Sequence, residues 1–187
     1  MDTQTRGLDV VLNYKQFIGG GESSYNVGIA GNFNDLTIKN INNGDLNEYT
    51  FFGPFSQAYL EAAAPPFKIV LIGGYSTSKL DVNLQVTQFS GVELQDFQWV
   101  DSPATNKAEA DALREVATDV YDPALSVDLS VGYDITKNLR LTLGANNLLN
   151  TYPTPQFDGW TDQGGFNDSV QMGADGAYFF GRLGIRF

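Results

Sequence analysis

The 187-residue chain has no cysteine and no histidine, and its 22 acidic side chains outnumber 11 basic ones, giving a net charge of −11. This composition excludes disulfides and thiol chemistry, and it removes the most common metal ligand and general base. The acidity disfavours nucleic acid as a partner, because nucleic acids are bound by basic patches. The polar start, Met1 to Arg6, predicts no signal peptide, and no segment approaches the roughly 18 apolar residues of a spanning helix.

Seven segments along the chain alternate apolar and polar side chains, a period of two that indicates β-strands with two different faces. The turns near Gly20, Ser78 and Lys137 are short, whereas residues 39–66, 95–123 and 151–176 form long connections. The apolar positions are, in chain order, Leu8, Val10, Leu12, Tyr14, Tyr25, Val27, Ile29, Phe33, Ile69, Leu71, Tyr75, Leu80, Val82, Leu84, Val86, Leu125, Val127, Leu129, Val131, Tyr133, Ile135, Leu139, Leu141, Leu143, Phe179, Leu183, Ile185 and Phe187.

The length of these segments distinguishes a membrane protein from a soluble one. Leu125 to Ile135 alternates over the whole segment, whereas a soluble strand averages about five or six residues and a tilted membrane strand needs about nine to eleven. Short turns on one side and long loops on the other are typical of outer-membrane barrels. The sequence therefore predicts an all-β, antiparallel transmembrane β-barrel with lipid-facing apolar residues. The alternative is a soluble sandwich or lipocalin-like barrel.

The opposite face of the predicted strands carries charged side chains, which favour a hydrated or plug-filled interior over a dry one. These residues are Asp9, Lys15, Asp81, Asp128, Asp134, Arg140, Arg182 and Arg186. Outer-membrane lipid is accordingly a predicted partner.

Three motifs resemble TonB-dependent outer-membrane transporters. Asn138 to Pro153, with Asn-Leu-Leu-Asn-Thr-Tyr inside it, is similar to the penultimate strand of that family. The ending Gly181 to Phe187 resembles the final strand, and Thr5 to Tyr14 resembles a Thr-x-Gly-x-Asp strand. The resemblance implies a bacterial outer-membrane importer with a 22-stranded barrel and an N-terminal plug, which an inner-membrane energy-coupling complex pulls. Its cargo would be an iron chelate, cobalamin, a glycan or a peptide.

Under this resemblance, residues 1–187 are expected to be the C-terminal part of the barrel, without the plug. The remaining barrel, the plug and the barrel-assembly machinery, which would read the last strand with Phe187, are expected partners. Barrels of single bacterial chains have even strand numbers, so the seven predicted strands indicate either an incomplete chain or an eighth strand near Phe157–Trp160 or Glu48–Phe55. The alternative is a stand-alone small outer-membrane barrel with a structural or adhesive role.

The long connections contain the candidate ligand-binding residues, which are the aromatic side chains Trp99, Tyr121, Tyr152, Phe157 and Trp160. Membrane anchoring would explain the same aromatics. The acidic segment from Gln95 to Asp122 has oxygen ligands for Ca²⁺, although a solvated loop is the simpler interpretation. Within it, Asn106 to Thr118 has helical spacing, with Asn106 or Thr105 as the cap. Without histidine, and with no evident carboxylate pair, the chain is not predicted to be an enzyme.

Overall fold

The computed structural model describes residues 1–42, 44–95, 104–156, 165–166 and 172–187. These ranges contain nine strands and three helices. In chain order they are β1 (Asp2–Ile18), β2 (Ser23–Asn40), α1 (Glu48–Phe51), α2 (Pro54–Ala62), β3 (Phe67–Ser76), β4 (Leu80–Phe89), β5 (Val92–Gln95), α3 (Lys107–Ala117), β6 (Thr118–Tyr121), β7 (Ala124–Thr136), β8 (Leu139–Asn146) and β9 (Tyr178–Ile185).

Seven of these strands form one antiparallel sheet in the order β1-β2-β3-β4-β7-β8-β9, and β5 pairs with β6 in a separate two-stranded sheet. The prediction of an all-β, antiparallel protein is therefore confirmed, as is each of the seven alternating segments. In the described part of the chain, β1 and β9 are the two edges of the sheet and do not pair with each other. The sheet is consequently open.

The strand register places apolar residues opposite apolar residues. Leu71 on β3 is opposite Ile29 on β2 and Val86 on β4, and Val86 is opposite Val127 on β7. Because side chains alternate between faces, a slip of one residue would move a whole apolar set to the other side. The predicted lipid-facing positions on the last three strands share this face, namely Leu125, Val127, Leu129, Val131, Leu139, Leu141, Leu143, Leu183 and Ile185.

The apolar face is exposed. Leu12 is 63% exposed, Leu143 56% and Leu183 59%, and among the described residues no second sheet covers this face. A soluble sandwich would bury such a face against another layer. Buried clusters lie instead near the ends of the strands, one of them formed by Ala62, Val92, Leu94 and Tyr121. Across the described ranges, no helix has the length and apolar character needed to cross a bilayer.

The connections divide between the two ends of the sheet as predicted. The turn from β3 to β4 is closed by Thr77, whose backbone N–H donates to the carbonyl of Leu80 at 2.7 Å. The turn from β1 to β2 is formed by three glycines with positive φ, of which Gly20 has φ +70°. We call this end the turn end, and the opposite end, which carries the long connections, the loop end.

Several sequence predictions are corrected by the structure. Residues 48–55 contain no strand but parts of α1 and α2, because Asn47 caps α1 by accepting the Tyr49 N–H at 2.8 Å and Pro54 starts α2. The other proposed eighth strand, Phe157–Trp160, lies outside the described residues. β9 ends at Ile185, so Phe187 follows the strand and is fully exposed.

Two further features concern the long connection between β4 and β7. The helix predicted over Asn106 to Thr118 is confirmed as α3, and Asn106 caps it by accepting the Glu109 N–H at 3.0 Å. The pair β5 and β6 was not predicted, since each strand has four residues.

Candidate functional site

The polar face of the sheet is a hydrogen-bonded surface. The Asn32 amide on β2 donates to the Asp9 carboxylate on β1 at 2.6 Å, and these residues are direct cross-strand partners. Arg140 on β8 forms an ion pair of 3.2 Å with its partner Asp134 on β7. Asp81 accepts from a serine hydroxyl at 2.9 Å and an asparagine amide at 2.6 Å. Cross-strand pairs of this kind stabilise a sheet and suit a hydrated face.

The turn after β8 connects the last three strands at the loop end. Asn147 and Asn150 both have positive φ, +48° and +53°, a region that asparagine tolerates better than most residues. The Asn147 N–H donates to the Asp128 carboxylate on β7 at 2.8 Å. The Asn150 side chain accepts the N–H of Ala177, just before β9, at 2.9 Å. These bonds give the asparagines of the Asn138 to Pro153 motif a structural role.

The side chain of Asn147 also closes its own turn. Its Nδ2 donates to the Thr151 carbonyl at 2.7 Å, and its Oδ1 accepts the Thr151 N–H at 3.0 Å. Asn147 is only 8% exposed, so these bonds satisfy an amide that would otherwise be buried without partners. These bonds therefore fix the conformation of the turn that follows β8 at the loop end.

The described parts of residues 41–66, 90–123 and 147–177 contact one another, and we call them the loop layer. The helix α2 packs on β5 through the buried cluster that includes Ala62 and Leu94. The Asn47 amide donates to the Thr105 carbonyl at 2.8 Å, and the Asp122 N–H donates to the Thr154 hydroxyl at 3.0 Å. The three long connections are thus joined by direct contacts at the loop end.

The described residues line at least three clefts in or beside the loop layer. The first, of about 440 Å³, is lined by Glu61, Ala62, Pro66, Gly91, Val92, Glu93, Val120, Tyr121 and Pro123. The second, of about 560 Å³, is lined by Phe89, Ser126, Asp128, Asn146, Asn147, Met172, Gly173, Asp175, Gly176, Ala177 and Tyr178. The third, of about 770 Å³, is lined by Asp122, Pro123, Ala124, Leu125, Thr151, Tyr152, Pro153, Thr154, Pro155 and Phe166. Volumes of this size are typical of small-molecule sites, about 300–1,000 Å³.

The predicted ligand-binding aromatics are distributed between these clefts. Tyr121 is 2% exposed, so its ring packs mainly in the buried cluster beside the first cleft. Tyr152 is 46% exposed, lines the third cleft and stacks on Phe166, with ring centroids 6.1 Å apart. Trp99, Phe157 and Trp160 lie outside the described residues. The structure therefore places two predicted residues in the loop layer but not in one common site.

The second cleft was not predicted, although its residues follow from the strand pattern. Asn146 and Tyr178 are direct partners on β8 and β9 and lie on the polar face. The signal in the sequence is Phe179-Phe180, where one of two consecutive aromatics must face away from the apolar side. We call this site the polar-face cleft.

Two charged groups on α3 have shifted pKa values, and both shifts arise from contacts at or near the first turn of the helix. The Glu109 carboxylate accepts the Thr105 N–H and hydroxyl, each at 2.8 Å, which lowers the pKa of Glu109. An ion pair of 2.7 Å with Asp111 raises the pKa of Lys107. Neither residue lines a described cleft, so both shifts concern the stability of α3.

The acidic connection does not provide a metal site in the part of it that is described. Across the described ranges, no three or more Asp or Glu side chains come together to hold a metal ion. Asp96 and Asp101 of the proposed Ca²⁺ loop lie outside those ranges. In comparisons with known proteins, no family model matches the chain, and no curated protein or solved structure is significantly similar to it.

Proposed function

We propose that this chain supplies seven strands of the transmembrane β-barrel of a bacterial outer-membrane transporter, a TonB-dependent importer of a scarce nutrient. The observation that carries the proposal is the apolar face, which runs in register across all seven strands and has exposed large apolar side chains on each of them. Soluble monomers rarely expose a continuous apolar area of this extent, whereas a barrel presents it to lipid.

The height of the apolar face supports a bilayer as its partner. On β2 the face begins with Tyr25, opposite Tyr75, and ends with Phe33, opposite Phe67, eight residues further along. With a rise of about 3.4 Å per residue and a tilt of about 40°, this span is about 20 Å high. That value is close to the apolar band of outer-membrane barrels, about 25 Å, which aromatic girdles flank.

The composition of the same face changes just beyond this span. After Phe33, the positions of β2 that continue the apolar face are Asp35, Thr37 and Lys39, and the facing residue of Asp35 on β1 is Arg6. Beyond the β2–β3 pair Phe33 and Phe67, β1 and β2 pair only with each other, so they form a two-stranded ribbon at the loop end. Leu36 and Ile38 lie on the opposite face, so the apolar face ends at Phe33, which suits a ribbon that leaves the hydrocarbon.

The open edges support a larger barrel as the context of these strands. A sheet edge in lipid would leave backbone groups unpaired, which the hydrocarbon cannot satisfy. β1 has 17 residues and β9 has eight, so they are poorly matched to close on each other as a small stand-alone barrel. The proposal therefore assigns additional barrel strands and a plug as partners, with the inner-membrane coupling complex acting through the plug. Import itself rests on the resemblance of the Asn138 to Pro153 motif.

A fluorophore scan tests the lipid contact directly. Because the chain has no native cysteine, single-cysteine variants of residues 125–136 on β7 can each carry one environment-sensitive dye. We expect brominated lipids to quench dyes at odd-numbered positions from Leu125 to Ile135 and to leave even-numbered ones largely unquenched. Unbrominated vesicles are the control. Quenching without a period of two would contradict the proposal.

Photo-crosslinking distinguishes a large barrel from a small one. A photoreactive amino acid at Asn13 on the β1 edge should crosslink to a strand other than β9 in the assembled outer membrane. Mass spectrometry of the crosslinked peptides identifies that strand. A crosslink from Asn13 to β9 of the same chain would favour the stand-alone barrel with a structural or adhesive role.

A further inference from the structure

Two neighbouring aromatic side chains of β9 lie on the polar face, where lipid contact cannot explain them. Tyr178 and Phe180 are on β9, opposite Asn146 and Gly144 of β8. Their rings stack with centroids 6.3 Å apart and an interplanar angle of 23°. Gly144 makes room for them, because a Cβ at that position would collide with the Phe180 ring. Tyr178 is nevertheless 62% exposed, so the structure maintains an accessible aromatic surface on the hydrated side.

This aromatic surface borders the polar-face cleft, which combines an apolar floor with polar groups. Phe89 and Met172 line the cleft and belong to a buried cluster. Ser126, Asn146 and Asp175 also line it. Among the described residues, the side chains of these three polar residues make no hydrogen bond or ion pair. They are therefore free to bind a ligand.

The hydrogen-bonding capacity of the other carboxylate in the cleft is already in use. Asp128 accepts the Asn147 N–H at 2.8 Å through Oδ1 and the Gln85 amide at 3.4 Å through Oδ2. No lysine or arginine lines the described cleft. The nearest cation named by a contact is Lys68, which lies over the Phe89 ring, 5.0 Å from its centroid, and is held there by that contact. The two carboxylates that line the cleft, Asp128 and Asp175, oppose anionic ligands.

We propose that the polar-face cleft binds a neutral carbohydrate. This inference rests on the proposed function, in which the cargo enters from the loop end. The apolar C–H face of a sugar ring packs on the Tyr178 and Phe180 rings. Its hydroxyl groups meet the Asn146 amide, the Ser126 hydroxyl and the Asp175 carboxylate, which together supply both donors and acceptors. A single free carboxylate among neutral polar groups fits hydroxyls better than a strongly cationic ligand.

The test is a titration of the assembled outer-membrane protein that contains this chain, reconstituted in vesicles, with oligosaccharides of contrasting charge. Isothermal titration calorimetry would compare maltohexaose, cellohexaose, xylohexaose and mannohexaose with a heparin hexasaccharide and with hexalysine. We expect at least one neutral sugar to bind, and both charged probes to bind at least about tenfold more weakly. Binding of hexalysine or heparin as tight as that of every neutral sugar overturns the proposal, as does binding of no neutral sugar.

Variants at the cleft connect that binding to the proposed residues. Tyr178→Ala and Asn146→Ala should each weaken the sugar by about two- to tenfold, the range expected for one aromatic contact or one hydrogen bond. Tyr178→Phe retains the ring and should bind nearly as the parent does. Tyr75→Ala, which removes an aromatic from the apolar face, is the matched control. Unchanged binding in both alanine variants at the cleft overturns the assignment.

The outcomes separate this inference from the membrane proposal. A chain that shows the period-two lipid quenching on β7 but binds no neutral sugar refutes only the cargo class. A chain that binds sugar with equal affinity in detergent-free buffer and in vesicles, without lipid quenching, refutes the barrel and leaves the cleft.

Discussion

Arginine substitutions along β7 should measure the depth of the apolar face in the membrane. Ser130 is the seventh of 13 residues in β7, so Leu129 lies one residue from the centre of the strand. Its height above the midplane is then about 2–3 Å. Leu129 is opposite Leu84 on β4 and Ala145 on β8, both on the apolar face. An arginine there would place its charge near the centre of the hydrocarbon.

The expected cost of Leu129→Arg is about 2–4 kcal/mol in the free energy of unfolding, the range for arginine at the bilayer midplane. Ile135 lies five residues from the strand centre on the same face, at a height of about 13 Å, which is the edge of the apolar band. Ile135→Arg should therefore cost only about 0–1 kcal/mol. Ser130→Arg, on the polar face opposite Asn83 and Gly144, should be tolerated similarly well.

The assay is urea unfolding of each variant of the assembled outer-membrane protein in phosphatidylcholine vesicles, with the free energy obtained by linear extrapolation. The parent and the three variants differ only at single positions of β7, so their unfolding free energies can be compared without a difference in sheet topology. Equal costs at Leu129 and Ser130 would refute the assignment of faces. Costs below about 0.5 kcal/mol at all three positions would indicate a face in contact with water.

Three further predictions concern the loop end and its turns. Asn150→Val should destabilise the chain by about 1–3 kcal/mol because a β-branched residue is strained at positive φ. Asn150→Gly should lose only the hydrogen bond to Ala177, about 0.5–1.5 kcal/mol. Urea unfolding measures both changes. Gly144→Val should displace the Phe180 ring and alter the near-ultraviolet circular dichroism of the aromatic stack. Since the folded state lowers the Glu109 pKa, its stabilisation of α3 is present above the ordinary glutamate value and is lost as the pH falls through the lowered value. The protection factors of the α3 amides, which correct for the intrinsic pH dependence of exchange, should therefore fall on acidification in the parent and much less in Glu109→Gln, and an identical response in both would contradict the capping role.

The sequence was sufficient to locate all seven strands of the sheet, because a period of two directly records which side chains share a face. It underestimated the first hairpin, where β1 begins at Asp2 and β2 extends to Asn40. At the end of β2 the apolar residues Leu36 and Ile38 lie on the face that is polar elsewhere, so the alternation does not continue the phase of the preceding residues. The strand conformation of both ends follows from pairing between the two chains of the hairpin, which a residue pattern does not report.

The loop layer was harder to predict because its structure depends on contacts between distant segments. The aromatic-rich residues 48–55 look strand-like, and only the cap at Asn47 and the start at Pro54 favour helices. β5 is short and is stabilised by packing against α2. Contacts of this kind are decided by tertiary structure, which overrides local propensity.

For the candidate site, aromatic residues were a useful but incomplete guide. Tyr152 lies at an exposed cleft, whereas Tyr121 is almost wholly buried, and a ligand at either residue stays a prediction. Tyr178 was missed because the prediction concerned aromatics of the apolar face and of the long connections, whereas Tyr178 lies on the polar face of β9. The free amide of Asn146 could not be recognised without knowing which neighbours are within hydrogen-bonding distance.

The two-stranded ribbon formed by the outer ends of β1 and β2 has a consequence for the order in which the sheet opens. Its amides have one neighbouring strand and lie beyond the proposed hydrocarbon, so solvent reaches them from both sides. Deuterium should enter Thr3 to Arg6 long before it enters Leu8 to Tyr14 of the same strand. Unfolding would then begin at this corner, and the boundary between fast and slow amides would mark where the bilayer begins to protect the backbone.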